Sequence, residues 1–256
     1  MSGSFYNDIT WFIRETCSPL NFIENETLSS FGKDISLSTD KFLNRKIVEY
    51  LTDNYSYPVL SEESEEQRDY CSYEGYYWII DPLDGTLNYS RGIPLTCISI
   101  ALWQDAAPVA GIVYDFQRDE MFYGCCKRSP LNDETGAWLN DSRISVSGVK
   151  DRSQGVICTG FPSWRDFSTE SLDAFVKKIQ RWKKVRLLGS AALSLAWVAS
   201  GRADAYTEED IRIWDVAAGL ALVKAAGGTI SYRNNTRANF ITALAVTKEI
   251  SIEEIS

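Results

Sequence analysis

Apolar residues near the N-terminus recur at helical spacing in two separate segments. The first segment, with Phe5, Ile9 and Phe12, predicts an amphipathic helix. The polar residues 31–40 follow, and we expect them to form a loop that leads into a second helix. Three residues are candidate caps for this helix: Ser38, Thr39 and Asp40. Its apolar side carries five residues: Phe42, Leu43, Ile47, Val48 and Leu51.

Short extended segments dominate the next part of the chain. Residues 58–60 predict a short strand, and the apolar run 78–80 predicts a buried strand. We expect the latter to end at Asp81-Pro82, because proline lacks a backbone donor. Further strands are predicted at 96–103, 109–114, 120–123 and 138–146, with a turn at 106–108. Such short spacing favours a mostly antiparallel sheet with helices packed on it.

The pattern changes to alternating strands and helices after residue 155. Strands are predicted at 156–159, 185–188 and 203–206, followed by a final strand pair. Helices are predicted at 168–184, 191–199 and 214–226, the last one closed by Gly227-Gly228. This alternation is typical of an α/β unit. We therefore expect an N-terminal α+β half over residues 1–145 and an α/β half over 146–256, tightly packed as one unit.

Composition limits the classes of function that the chain supports. Its 256 residues contain six cysteines, without the spacing of a disulfide framework or a zinc site. No apolar run approaches the ~20 residues that span a membrane, and residues 1–10 do not resemble a signal peptide. We therefore expect a cytoplasmic protein without a membrane partner. The absence of histidine excludes a Ser-His-Asp triad, a histidine-ligated zinc site and a phosphohistidine intermediate.

Charge argues against nucleic acid as a partner. The net charge is −9, whereas nucleic-acid binding depends on basic surface. The basic run 177–184 is interpreted as a solvated helix face that carries Lys177, Arg181 and Lys184. An acidic protein of this kind is suited to neutralising part of its charge with bound metal.

Acidic residues mark the points where predicted elements begin or end. Asp81 and Asp84 lie three positions apart on the predicted turn after the buried strand. Carboxylates held so close repel one another unless a positive charge lies between them, and Mg²⁺ prefers such oxygen ligands. The acidic run 61–66 also follows a short strand, and Asp215 begins a predicted helix. The alternatives are a polar turn, a solvated loop and a helix cap, respectively.

Two segments carry a family resemblance. Residues 81–89 (DPLDGTLNY) and 214–219 (WDVAAG) closely resemble the two signatures of the inositol monophosphatase family, within the Mg²⁺-dependent, Li⁺-sensitive sugar-phosphatase superfamily. The resemblance continues at residues 38–40, 61–64, 160–162 and 201–206. It implies the layered α-β-α-β-α sandwich shared with fructose-1,6-bisphosphatase. It also implies two or three Mg²⁺ ions, lithium sensitivity and a homodimer.

The resemblance implies a role for each matching residue. Glu62, Asp81 and the backbone carbonyl of Leu83 would hold the first metal. Asp81, Asp84 and Asp215 would hold the second, and a third, weaker ion would lie near Glu62. In relatives, the loop around Lys33 often contributes to that third site, and it is shorter here.

Other matching residues would act on water and substrate. Thr86 and Asp40 would orient and deprotonate the attacking water, with Glu63 as a neighbour. The backbone amides of Gly85 and Thr86 would bind the phosphate. Four residues would contact the alcohol part of the substrate: Gly189, Ser190, Ala191 and Glu208. Arg165 is expected either at the rim of the site or as an ordinary loop residue.

These observations predict a Mg²⁺-dependent phosphomonoesterase that acts on inositol monophosphate or a similar polyol or sugar phosphate. Metal ions activate water and neutralise the phosphoryl oxygens without any need for histidine. Three other activities use the same scaffold: fructose-1,6-bisphosphatase, histidinol-phosphate phosphatase and 3′(2′),5′-bisphosphate nucleotidase. An alternative from a different class is a catalytically idle member with a binding or regulatory role.

Overall fold

The computed structural model describes residues 5–18, 27–31, 34–64, 68–131, 134–161 and 166–254. The helices in these ranges are α1 (Phe5–Cys17), α2 (Ser38–Asn54), α3 (Thr86–Ser90), α4 (Thr169–Ile179), α5 (Ala191–Ala199) and α6 (Ile213–Ala225). Short 3₁₀ helices cover Tyr70–Ser72, Arg152–Gln154 and Ile252–Glu254. No helix among the described residues is long and apolar enough to cross a membrane.

The strands form three sheets. The first pairs β1 (Thr27–Phe31) with β2 (Asp34–Leu37). The second contains, in spatial order, β3 (Val59–Ser61), β4 (Tyr76–Asp84), β5 (Cys97–Gln104), β6 (Ala107–Asp115), β7 (Glu120–Cys125), β8 (Gly136–Leu139) and β9 (Ser142–Ile144). The third contains, in spatial order, β11 (Lys184–Arg186), β10 (Val156–Thr159), β12 (Ala205–Arg212), β14 (Phe240–Val246) and β13 (Thr229–Asn234).

Both large sheets are mixed. In the seven-stranded sheet β3 runs parallel to β4, and the other neighbours are antiparallel. In the five-stranded sheet β10 runs parallel to both β11 and β12, and the other neighbours are antiparallel. The predicted mostly antiparallel first sheet and the predicted alternation of strands and helices after residue 155 are therefore confirmed. The parallel pair β3–β4 matters for the site, because parallel strands end at the same edge of a sheet.

The elements stack in five layers. One core lies under α1 and α2, where Ile9 and Leu43 pack with Ile100 of the seven-stranded sheet. A second core surrounds α5 and α6, between the two large sheets. Side chains on β10 alternate, so Cys158 faces this core and Thr159 faces the opposite side, where α4 packs. This order confirms the α-β-α-β-α sandwich.

Helix α6 is apolar on nearly all sides, because sheets cover it on two faces. All but three of its thirteen residues are buried. Gly111 on β6 lets the helix backbone come close, since a Cβ at this position would lie 2.9 Å from the Cα of Ala218. The first turn of the same helix carries Asp215. Close packing against the seven-stranded sheet therefore sets the position of this carboxylate.

We expect Gly111→Ala to lower the free energy of unfolding by about 1–3 kcal/mol, because the added methyl overpacks the contact with α6. Urea denaturation monitored by circular dichroism measures the change. Gly148→Ala is the matched control, since a Cβ there meets nothing within 4 Å. Equal urea midpoints for the two variants would refute the packing role of Gly111.

Some predicted boundaries are wrong. The polar residues 31–40 were expected to form a loop, but they include β2, which pairs with β1. Helix α2 already includes Ser38, so all three candidate caps lie within its first turn. The turn after β5 is Asp105-Ala106, both with positive φ, and Pro108 lies within β6. Strand β12 extends to Arg212, well beyond the predicted residue 206.

The helix predicted over 168–184 is shorter than expected. It is capped by Ser168, whose hydroxyl accepts a hydrogen bond from the backbone of Ser171, and it ends at Ile179. Arg181 and Lys184 therefore do not share a helical face with Lys177, although all three are exposed. Strand pairing of Lys184 with Val156 takes precedence over helix propensity here.

Strand β4 does not end at Pro82. It continues to Asp84 through a shift of register, because Asp81 pairs with Ser99 whereas Asp84 pairs with Cys97. Three steps on β4 thus face two on β5, which makes a β-bulge. A proline is tolerated in a bulge because its missing N–H is not needed for the ladder. The bulge brings Asp81 and Asp84 to the same end of the strand.

Candidate metal centre

Three carboxylates from distant parts of the chain converge at this end of β4. Ligand oxygens of Glu62, Asp81 and Asp215 all lie within 4.8 Å of one another. Glu62 follows β3, and its backbone N–H donates to the carbonyl of Ile80, which keeps it beside Asp81. Asp215 comes from the first turn of α6, with Arg212 in the cap position. Asp215 is therefore not the helix cap.

Asp84 occupies the neighbouring position and is tied to helix α5. Its Oδ2 accepts hydrogen bonds from Ser190 Oγ at 2.6 Å and from the backbone N–H of Ala192 at 2.7 Å. Ser190 also caps α5 by accepting from the N–H of Leu193. The buried Cys97 thiol lies 3.8 Å from the same oxygen. This carboxylate is consequently held in one orientation from the side of α5.

The bulge and the turn after it are held by hydrogen bonds of their own. The backbone N–H of Leu83 donates to Asp81 Oδ1 at 3.0 Å, and the carbonyl of Leu83 accepts from Thr86 Oγ1 at 3.0 Å. Gly85 has φ +88°, and a Cβ there would lie 2.8 Å from the carbonyl oxygen of Leu95. Only glycine fits both conditions, so the backbone reaches the N-terminus of α3 without obstruction.

Burial disfavours the charged form of all four carboxylates, and repulsion from neighbouring carboxylates adds to this effect at Glu62, Asp81 and Asp215. Burial raises the pKa of Glu62 to about 7, with Glu63 and Asp84 adding to the rise and Arg212 opposing it. Burial raises the pKa of Asp84 to about 6, against the hydrogen bonds that favour its charge. Burial, and then the neighbouring carboxylates, raise the pKa of Asp81 and of Asp215 well above the usual range.

These residues fit a hard divalent cation. The donors are carboxylate oxygens from three or four residues, which is the ligand type that Mg²⁺ prefers. The Glu62 and Asp81 carboxyl groups are within hydrogen-bonding reach of one another. A cation placed among them would remove the repulsion between neighbouring carboxylates.

Asn88 connects three segments around the centre, a role that sequence reasoning missed. Its Nδ2 donates to the carbonyls of Leu95 at 2.9 Å and of Leu188 at 2.8 Å. Gly189 follows with φ +71°, and a Cβ there would lie 3.0 Å from this amide. Asn88 therefore holds the turn that carries Gly189, Ser190 and Ala191. Its place seven residues after Asp81, within the resembling motif, was the available signal.

Glu208 lies on β12, the strand that leads directly into α6 and Asp215. It is buried, and its Oε2 accepts a hydrogen bond from Tyr206 at 2.9 Å. A Cβ on Gly160 would lie 2.5 Å from Glu208 Oε1, so glycine is needed to leave room for this carboxylate. The charge of Glu208 contributes to the raised pKa of Asp215.

The two remaining catalytic candidates lie on α2 and after β3. Asp40 is buried in the first turn of α2. Burial raises the pKa of Glu63, and the charge of Lys41 lowers it, so Glu63 faces the start of the same helix. Their catalytic roles stay predictions. Lys33 and Arg165, considered above for the third metal and the rim, lie outside the described residues.

A model of the inositol monophosphatase family matches residues 6–250. The chain belongs to this family. Its members are Mg²⁺-dependent phosphomonoesterases, and the acidic cluster described above suits that dependence. The family resemblance of the two signature segments is thereby confirmed.

Individual relatives carry two different names. "Nus factor SuhB" of Xylella fastidiosa is 39% identical over 210 residues, which cover 80% of this chain and 72% of that protein. "Inositol-1-monophosphatase" of Mesorhizobium japonicum is 41% identical over 155 residues, which cover 60% of this chain and 56% of that protein. Among solved structures, the Thermotoga maritima IMPase superposes with a TM-score of 0.77 at 28% identity, covering 98% of this chain and 94% of that one. The fold is thus the layered fold of inositol monophosphatases.

Proposed function

We propose that this protein is a Mg²⁺-dependent phosphomonoesterase that hydrolyses inositol monophosphate or a similar polyol or sugar phosphate. The convergence of Glu62, Asp81 and Asp215 oxygens within 4.8 Å carries the proposal. Asp84, tethered beside them by Ser190 and Ala192, supplies a further carboxylate. A partly buried acidic cluster of this kind is costly without a cation, and family membership supports Mg²⁺ as that cation.

We propose two sets of metal ligands, and Asp81 belongs to both. Glu62, Asp81 and the Leu83 carbonyl hold one Mg²⁺, and Asp81, Asp84 and Asp215 hold another. A third ion near Glu62 is part of the proposal as well. When bound, Mg²⁺ lowers the pKa of the attacking water and neutralises the phosphoryl oxygens and the leaving alkoxide.

Thr86 and Asp40 are proposed to orient the water and accept its proton. Because the Thr86 hydroxyl donates to the Leu83 carbonyl, its oxygen lone pairs are left to accept from water. The Leu83 carbonyl is also a proposed metal ligand. It would therefore position both the ion and, through Thr86, the attacking water. The backbone amides of Gly85 and Thr86 bind the phosphate, and Glu63 supports the network from the turn after β3.

The alcohol part of the substrate is proposed to lie between two elements. The turn that carries Gly189, Ser190 and Ala191 forms one side, and Glu208 forms the other. A buried carboxylate at Glu208 accepts hydrogen bonds from substrate hydroxyls. The proposal extends to a lithium-sensitive cytoplasmic homodimer.

A panel of phosphomonoesters tests the activity. We expect Mg²⁺-dependent phosphate release from inositol 1-phosphate that exceeds release from fructose 1,6-bisphosphate, histidinol phosphate and 3′-phosphoadenosine 5′-phosphate. Each assay is repeated with excess EDTA as the control for metal dependence. Preference for another member of the panel would replace inositol phosphate as the substrate. Absence of turnover with every phosphomonoester would overturn the enzyme proposal.

The second candidate function is a binding role in transcription, of the kind that the name Nus factor denotes. Its support is the 39% identity to the SuhB protein of Xylella fastidiosa. The net charge of −9 favours protein over nucleic acid as the partner in such a role. A binding role does not require metal ligands, so it predicts that Asp84→Asn leaves the partner bound while it lowers the rate of hydrolysis.

A further inference from the structure

A cavity of about 100 Å³ lies on the outer face of the five-stranded sheet, beneath α4. The residues that line it include Thr159, Phe175, Lys178, Thr207, Glu208 and Glu209. The cavity is large enough for a small substituent of a ligand, such as a hydroxymethyl group.

Glu208 is the residue that this cavity shares with the proposed site for the alcohol part of the substrate. It lines the cavity, and its Oε2 accepts a hydrogen bond from Tyr206, which belongs to the core between the two large sheets. Strand β12 changes register after Glu208, which is where the ladder with β14 is interrupted. A ligand whose hydroxyl binds Glu208 as proposed would therefore have the cavity beside it.

The lining offers hydrogen-bonding groups and one aromatic wall. Thr159 Oγ1 donates to the carbonyl of Thr207 at 2.7 Å. Thr207 is 3% exposed, and its own Oγ1 has no hydrogen-bond partner within the described part of the chain. Phe175 forms the apolar wall, backed by the Phe161 ring at 4.2 Å between centroids. Such a mixture suits the hydroxyl and C–H groups of a polyol.

The charges that line the cavity favour an uncharged substituent of the ligand over a phosphate group. Glu208 and Glu209 contribute two negative charges against one positive charge from Lys178. Lys178 Nζ already pairs with Glu209 Oε1 at 3.3 Å, so the ammonium is largely neutralised. A second phosphate placed here would meet a net negative charge in a partly buried setting, which is unfavourable. An uncharged hydroxylated substituent meets no such repulsion.

We infer that the cavity receives an uncharged, hydroxyl-bearing arm of the leaving alcohol and that Glu209 excludes a second phosphate. This inference rests on the proposed function and adds to it a means of discriminating against bisphosphates. It assigns a specificity role to the pair Lys178–Glu209, which lies outside the metal ligands. Bisphosphates are disfavoured by charge rather than by size.

Charge reversal at Glu209 tests the inference. The probes are glucitol 6-phosphate and glucitol 1,6-bisphosphate, assayed with saturating Mg²⁺. We expect Glu209→Lys to raise the ratio of kcat/KM for the bisphosphate over the monophosphate by roughly tenfold or more, mainly through KM. Asp173→Lys is the matched control, because it makes the same change of charge on an exposed side chain of α4. This control should leave the ratio nearly unchanged.

A second variant tests the volume of the cavity without changing charge. Ala174 also lines it, so Ala174→Leu places a larger side chain at the opening. We expect this variant to raise KM for glucitol 6-phosphate severalfold and to leave KM for the shorter glycerol 2-phosphate unchanged. Equal effects on both substrates would overturn the assignment of the arm to this cavity.

The outcomes separate this inference from the proposed function. A wild-type protein that hydrolyses no phosphomonoester would overturn the proposed function, and the inference with it. An active protein in which Glu209→Lys and Asp173→Lys change the ratio equally would overturn the inference alone. If Glu209→Lys does not fold, the KM comparison for Ala174→Leu decides.

Discussion

Asp84→Asn is expected to lower kcat for phosphomonoester hydrolysis by roughly 10²–10³-fold, because it removes a charged group that acts on the developing charge through the bound ion. The fold should persist. An asparagine oxygen can still accept the hydrogen bonds from Ser190 Oγ and the Ala192 N–H that the aspartate accepts at 2.6 and 2.7 Å. Steady-state kinetics across a Mg²⁺ titration measure the loss of activity, and circular dichroism checks that the fold persists.

The control for this substitution is Asp173→Asn, which removes a carboxylate from the exposed face of α4. It should retain wild-type kcat. Higher Mg²⁺ concentrations should restore part of the activity of Asp84→Asn if the loss is one of ion affinity. Near-normal turnover in Asp84→Asn would refute its assignment as a metal ligand.

The metal-free protein is expected to lose stability as the pH rises from about 4.5 to about 7. The pKa of Asp84 is raised from 3.8 to about 6, and that of Glu62 from 4.5 to about 7. The folded state therefore binds more protons than the unfolded state in this window, and the free energy of unfolding falls with increasing pH. This loss of stability is absent at pH values below the pKa values of the two groups in the unfolded state. It is complete at pH values above their pKa values in the folded state.

Thermal unfolding in excess EDTA, measured at several pH values between 5 and 8, checks this expectation. Excess Mg²⁺ should remove most of the decline, because a bound cation replaces the protons and stabilises the folded state by mass action. Glu62→Gln should flatten the decline, since it removes one of the titrating groups. Carboxylates whose pKa is lowered, such as Asp119 and Glu120, act below this window. A melting temperature that rises with pH in EDTA would contradict the prediction.

The local sequence predicted those helices and strands whose formation depends mainly on the burial of apolar residues. The buried strand at residues 78–80 and the apolar helix after Trp214 were predicted because hydrophobic burial dominates both. The strand pair β1–β2 was missed, because its strands have only five and four residues and residues 31–40 are mostly polar. Pro82 was misjudged because a bulge depends on the pairing with β5, which local propensity does not contain.

The candidate site was only partly predictable from the residues themselves. From the residues alone, Asp81 and Asp84 suggested a cation, and Asp215 had an ordinary alternative as a helix cap. The ligand sets came from the resemblance, because the approach of Asp215 to Asp81 depends on how α6 packs between the sheets. The tether of Asp84 to Ser190 joins residues 106 positions apart, and nothing in either local segment indicates it.

The links from Asp84 to α5 and from Asn88 to Leu188 have an evolutionary consequence. The turn that is proposed to face the alcohol part of the substrate is bonded directly to a proposed metal ligand and to α3, where the phosphate is proposed to bind. A substitution at Ser190 that alters the choice of alcohol therefore also alters the affinity for the ion. Side chains without such bonds, such as those on α4, can vary while the metal centre is preserved. New substrate preferences in this lineage should accordingly arise first on α4.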